Sequence, residues 1–149
     1  MANENLTLHQ KVPNVSETQA VGAILKKITR TSPEFEQLIK NTNPEIVFKN
    51  EERTGADMMM TPRLSEKLNA LAELVKAEFA GMKLRVTEAW DENMEHNPTS
   101  THYEGRAADM TTDPIDSRKL GRLAGLAVQA GFDWVFFEND KHVHASVSR

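Results

Sequence analysis

The chain has 149 residues, with 18 Lys plus Arg against 22 Asp plus Glu, a formal net charge of -4 and 39% hydrophobic residues. That is one domain with enough apolar content for a core, which excludes a disordered chain, and the acidic balance makes a poor general nucleic-acid binder. With no cysteine, disulfides, thiolate metal sites and a catalytic thiol are excluded, and no run approaches the roughly 18 apolar residues of a membrane span.

The opening MANENLTLHQ has neither a basic region nor an apolar run, so no signal peptide is visible. A soluble chain is expected, cytoplasmic if that start is natural and extracellular or periplasmic if it is trimmed. Residues 1–20 are polar and read as an arm or loop, flexible over 1–11. Ser32-Pro33 marks a turn or helix start. Glu45 to Lys49 reads as a short strand after Asn43-Pro44. From Ser65 to Ala80, Leu68, Leu71, Val75 and Phe79 fall on one helical face, with Pro62 before and Gly81 after as punctuation. Lys83 to Trp90 alternates like a strand, 91–101 is a polar loop, and Arg106 to Thr111 can be a strand. Asp116 to Ala130 reads as a second helix, capped by Asp116 and ended by Gly131. Phe132–Phe137 and Val143–Val147 read as paired strands around the turn Glu138–His142. The expected fold class is α+β, a single domain over 1–149 with helices on one face of a mostly antiparallel sheet.

Four of the five histidines lie late in the chain: His96, His102, His142 and His144. On a strand His142 and His144 share a face, and Asp109 lies on the strand candidate after His102. Two imidazoles and a carboxylate form a three-ligand zinc site with one corner open, the arrangement of catalytic zinc. Glu138 ends the preceding strand, where it can take a proton from a metal-bound water. His96 and His142 are spare imidazoles able to orient a ligand or stabilise an oxyanion. No HExxH run is present, and each histidine alone also reads as an ordinary surface residue.

Carboxylates collect in two further segments. Glu51, Glu52 and Asp57 surround a Gly55 turn, and Glu88, Asp91, Glu92 and Asn93 lie at and just beyond the end of the Lys83 strand. Packed together they suit a hard cation such as calcium, which takes six to eight oxygens; apart, they are two solvated acidic loops.

At these residues the chain resembles a known family. Asn50-Glu-Glu-Arg-Thr-Gly-Ala-Asp57, Leu84-Arg-Val-Thr-Glu-Ala-Trp-Asp-Glu92, His102-Tyr-Glu-Gly-Arg-Ala-Ala-Asp109 and Ala130-Gly-Phe-Asp-Trp-Val-Phe-Phe-Glu138 are similar to the N-terminal signalling domain of hedgehog proteins, from about Val12-Pro-Asn-Val15 to Val147. Ser100 to Asp109 also resembles the zinc motif of D-alanyl-D-alanine carboxypeptidases, whose fold hedgehog domains share. The resemblance implies one zinc on His102, Asp109 and His144, with Glu138 as the peptidase-like base and His96 and His142 lining the cleft. It implies up to two calcium ions on Glu51, Glu52, Asp57, Glu88, Asp91 and Asn93, where animal members usually carry Asp at position 93.

The chain departs from animal ligands in having no N-terminal cysteine for palmitoylation and no basic heparin-binding stretch. It ends at Arg149 without a self-splicing module, and Ala145 stands where animal members often have Cys. That pattern fits a stand-alone, microbial or bacterial relative, with a trimmed ligand domain as the other source. The expected function is a zinc metallopeptidase acting on a peptide or peptidoglycan stem peptide, modulated by calcium. The alternative is a catalytically silent binding and signalling module with structural zinc and a calcium-dependent protein partner. Neither nucleic acid nor a membrane anchor is expected.

Overall fold

A computed structural model describes residues 5–49, 54–94 and 96–149. Helix α2 (Pro62–Glu78) buries Leu64, Leu68, Leu71 and Val75 completely. The helix starts three residues before Ser65 because Thr61 Oγ1 accepts the Leu64 N–H at 3.3 Å and Pro62 takes the first turn, where its missing N–H costs nothing. Each such leucine contributes about 1.5–3 kcal/mol relative to exposure. Helix α3 (Leu120–Ala130) buries Leu120, Leu123, Leu126 and Ala127 and stops at Gly131, whose φ of 98° is left-handed. Asp116 caps a separate 3-10 turn, Ser117–Lys119, which leads into α3.

The two helices pack on one sheet face against Leu84 and Val86 of β5 (Lys83–Glu88) and Ala108 and Met110 of β6 (Ala107–Asp113). The remaining sheet strands are β1 (Lys11–Val12), β3 (Ile46–Phe48), β7 (Trp134–Phe136) and β8 (Val143–Ser146), in the order β1-β7-β8-β6-β5-β3. Among the described residues only β3 and β5 of this sheet run parallel; its other four pairings are antiparallel. A small second sheet pairs β2 (Ile39–Lys40) with β4 (Met59–Met60). The fold is α+β, as the sequence indicates. No helix among the described residues is long and apolar enough to cross a membrane.

The N-terminal arm lies on this frame from Leu6 onward. Leu6 is buried and its N–H donates to Gly121 O, β1 pairs with β7, and a short helix α1 (Glu17–Val21) follows. That helix has a complete capping box: the Ser16 hydroxyl accepts from the Gln19 N–H while the Gln19 side chain accepts from the Ser16 N–H.

Register aligns the sheet face opposite the helices. Phe136 pairs with His144, His144 with Asp109, and Asp109 with Glu88, so four strands contribute to one transverse row. Glu88 reaches that row through an irregularity in β5, where the register shifts between Val86 and Glu88. A regular ladder would oppose Thr87 to Asp109 and turn Glu88 to the core; the bulge re-aims it. The displaced Thr87 hydroxyl donates to the Asp109 backbone carbonyl at 3.2 Å.

Candidate metal centre

His102 is brought to the row by a 3-10 turn, Thr101–Glu104, capped by the Ser100 hydroxyl. Gly105 ends the turn with φ of 67°, and a Cβ there would meet Leu38 Cδ2 at 2.9 Å. The chain therefore reverses tightly enough for His102 to face Asp109 only two residues into β6. His102 Nε2 lies 3.3 Å from Asp109 Oδ1, and His144 Nδ1 lies 3.0 Å from the same oxygen. All three side chains are buried, and all three line a cavity of about 320 Å³.

The outer partners of the two imidazoles select which nitrogen faces inward. His102 Nδ1 lies 2.6 Å from the Ala89 carbonyl, an acceptor, so Nδ1 carries the hydrogen and Nε2 offers its lone pair. His144 Nε2 lies 2.6 Å from Glu17 Oε2, which leaves Nδ1 to face Asp109. Two imidazole nitrogens thus flank one carboxylate oxygen, Asp109 Oδ1. Asp109 also gathers with Glu88, His96 and His102 on one side and with Glu138 and His142 on the other, each set with its ligand atoms within 4.8 Å of one another. Two imidazoles and a carboxylate are a donor set that suits zinc.

Electrostatics agree. Burial disfavours charge on His144, but Asp109 and Glu17 outweigh it and raise the imidazole to about 10. Burial pushes the Glu17 carboxyl up, yet its bond to His144 and that ring's charge bring it down to about 2. Burial likewise opposes charge on Asp109, while His102 and His144 hold it well below the carboxylate range. The two carboxylates favour positive charge between them, which imidazole protons or a divalent cation would supply.

His142 and Glu138 sit at the rim. His142 Nε2 lies 3.1 Å from Glu138 Oε1 and 3.7 Å from Asp109 Oδ2. That contact keeps the Glu138 carboxyl low despite partial burial. His96 stacks on His102 with ring centroids 4.3 Å apart and reaches the other way, its Nδ1 2.6 Å from Asp91 Oδ2 and Nε2 2.6 Å from Glu88 Oε2. It links the histidine cluster to the acidic one.

Of the six expected calcium ligands, Glu51 and Glu52 lie outside the described residues. Asp57 and Asp91 are buried, and Glu88 is pushed up to about 7 by burial, against the pull of His102, and by the charges of Asp109, Asp91 and Asp57. Carboxylates that raise one another in this way fit a cation. Asn93 is exposed, and its backbone N–H donates to Asp91 Oδ1 at 2.9 Å.

Glu17 escapes sequence reading. The Ser16-x-x-Gln19 capping box is legible and marks a helix start, but nothing in the pattern directs Glu17 to a histidine 127 residues away.

Comparison with known proteins identifies the relatives of this site. Residues 2–146 match the family model of the Hedgehog amino-terminal signalling domain. The chain is 52% identical over 144 residues to Sonic hedgehog protein of Danio rerio, covering 95% of this chain and 34% of that protein. It is 51% identical to Indian hedgehog protein of Gallus gallus, covering 95% and 35%, and 49% identical to Protein hedgehog of Drosophila hydei, covering 95% and 30%. The chain spans about a third of the length of these relatives. These findings overturn the expectation of a zinc metallopeptidase with a peptide or peptidoglycan substrate: the family is one of signalling domains. Ligand spacing alone cannot distinguish a metal that activates water from one that braces a binding surface.

Proposed function

Because the chain belongs to the family of hedgehog amino-terminal signalling domains, we propose that it works as a metal-braced signalling module that binds a protein partner through the cleft above His102, Asp109 and His144. The observation that carries this reading is the convergence of His102 Nε2 and His144 Nδ1 on Asp109 Oδ1 within 3.3 Å, at the base of an open cleft. These three residues would hold one zinc ion, which, when bound, supplies a fixed double positive charge and joins a turn to two strands. Trp134, Phe136 and His142 wall the cleft, and aromatic side chains beside a few oriented polar groups suit protein recognition. Glu138 and His142 act there as rim hydrogen-bonding groups.

The acidic cluster supports a second metal reading. Asp57, Glu88 and Asp91, with Glu51, Glu52 and Asn93, would take up to two calcium ions. His96 touches both Glu88 and Asp91, so a cation there would reset the cleft rim and make partner binding depend on calcium.

The test is competition. Labelled Sonic hedgehog signalling domain is bound to hedgehog-responsive cells, and the zinc-loaded chain is added with and without calcium. The chain should displace the label, and Asp109→Ala should not. No displacement at micromolar concentration, with zinc stoichiometrically bound, would reject the proposal.

A further inference from the structure

A metal-binding imidazole uses one nitrogen for the metal and carries a hydrogen on the other. An acceptor at that second nitrogen fixes the tautomer and makes the ligand more basic. For His102 the acceptor is the local Ala89 carbonyl. For His144 it is the Glu17 carboxylate at 2.6 Å, from the far end of the chain.

Glu17 is itself held. The Thr101 hydroxyl donates to Glu17 Oε2 at 3.1 Å, and Thr101 precedes the ligand His102. The segment around Glu17 is pinned at both sides: Trp134 Nε1 donates to Val15 O at 2.9 Å, and Arg106 donates to Val21 O at 2.8 Å and Gly22 O at 3.0 Å. Between those pins stands only the five-residue α1, far too short to be stable by itself. Its stability must come from what it touches.

We propose that Glu17 is a positioning residue of the metal centre, and that its hydrogen bond to His144 couples docking of the N-terminal segment, residues 15–22, to metal occupancy. The inference rests on the zinc reading above and extends it to a part of the chain that holds no ligand. Coupling is reciprocal: if docked Glu17 strengthens metal binding, bound metal holds the segment down by up to the same factor.

Zinc affinity, measured by competition with a chromophoric chelator, should fall about 10–100-fold in Glu17→Ala. In Glu17→Gln it should fall less, because the amide oxygen still accepts from His144 Nε2–H. Two-bond nitrogen-15 spectra of zinc-loaded wild type should show His144 as the Nε2–H tautomer. Amide exchange at Ala20 and Gly22, whose N–H groups donate to Ser16 O and Thr18 O, should slow when zinc is added to wild type and respond less in Glu17→Ala. A merely structural Glu17 would leave zinc affinity within twofold of wild type in both variants, and the inference would be overturned. It would also be overturned if exchange over residues 17–22 in wild type were indifferent to zinc. If Glu17→Ala does not fold, Glu17→Gln and the wild-type exchange experiment decide alone. Wild type that binds no zinc would show, before any variant is made, that the metal reading itself fails.

Discussion

Arg106 and Asp109 lie on or just before the same strand and both carry buried charge, yet their surroundings follow opposite rules. Arg106 is 0% exposed. Its guanidinium donates to Glu104 Oε1 at 2.8 Å and to the carbonyls of Val21, Gly22 and Val147. Glu104 Oε2 in turn accepts the Leu25 and Lys26 N–H groups at 2.7 and 3.1 Å. Donors and acceptors are matched, and the cluster is a closed clamp joining the N-terminal segment to the last strand. At Asp109, two imidazole nitrogens instead crowd onto one carboxylate oxygen, Oδ1, at the base of a cleft. Buried charge that is matched inside the protein is architecture; buried donor atoms that converge on an opening call for something from outside.

The comparison can be broken experimentally. Arg106→Met should leave Glu104 with Arg149 Nη1, 3.2 Å from Oε1, as its remaining cation and the carbonyls of Val21, Gly22 and Val147 without their donor, and cost about 3 kcal/mol, seen as a lower denaturant midpoint even with chelator present; an unchanged midpoint would mean the clamp is dispensable. Asp109→Ala should act through the metal. Zinc at a thousandfold excess over Kd should stabilise wild type by about 4 kcal/mol and the variant by almost nothing, read from thermal unfolding with and without zinc. Gly105 lies between the two clusters, and Gly105→Ala places a Cβ 2.9 Å from Leu38 Cδ2 at a φ of +67°. A cost of about 1–2 kcal/mol is expected, together with weaker zinc binding because the His102 turn must open.

The smallest effect belongs to an ion pair outside both clusters. Arg63 Nη2 lies 2.8 Å from Asp133 Oδ1, and Asp133 also accepts the Ser148 N–H. The Arg63 bond lowers the Asp133 carboxyl from its ordinary 3.8. A lowered carboxyl adds stability that is fully present above the unfolded value and is lost as pH falls through the folded one. Solvent screening limits this pair to below about 1 kcal/mol. The stability difference between wild type and Asp133→Asn should be small at neutral pH and shrink in acid below that ordinary value; a difference that grew in acid would reverse the assignment.

Much of this arrangement is legible in the sequence. The apolar period of Leu68, Leu71 and Val75 locates α2, and Gly131 locates the end of α3, because helix packing writes its period locally. His102, Asp109 and His144 stand out as residue types suited to zinc, and the structure brings them together. Three features are written nowhere locally. The bulge that turns Glu88 toward Asp109 shifts the register by one residue, and alternation alone reads Lys83 to Trp90 as regular. The clamp makes Arg106 a core residue, against every expectation for its type. Glu17 meets His144 only because the arm crosses the sheet. Whether the site catalyses or binds is equally unwritten, since both uses need the same ligands; relatives, not spacing, correct that reading.

The central claim is that His102, Asp109 and His144 form a metal centre. Anomalous diffraction at the zinc absorption edge from crystals grown with zinc tests it most directly. The account predicts one zinc peak bonded to His102 Nε2, Asp109 and His144 Nδ1, with nitrogen distances of about 2.0–2.1 Å. Zinc bound in equal amount at other residues, or no peak in the cleft, would contradict it.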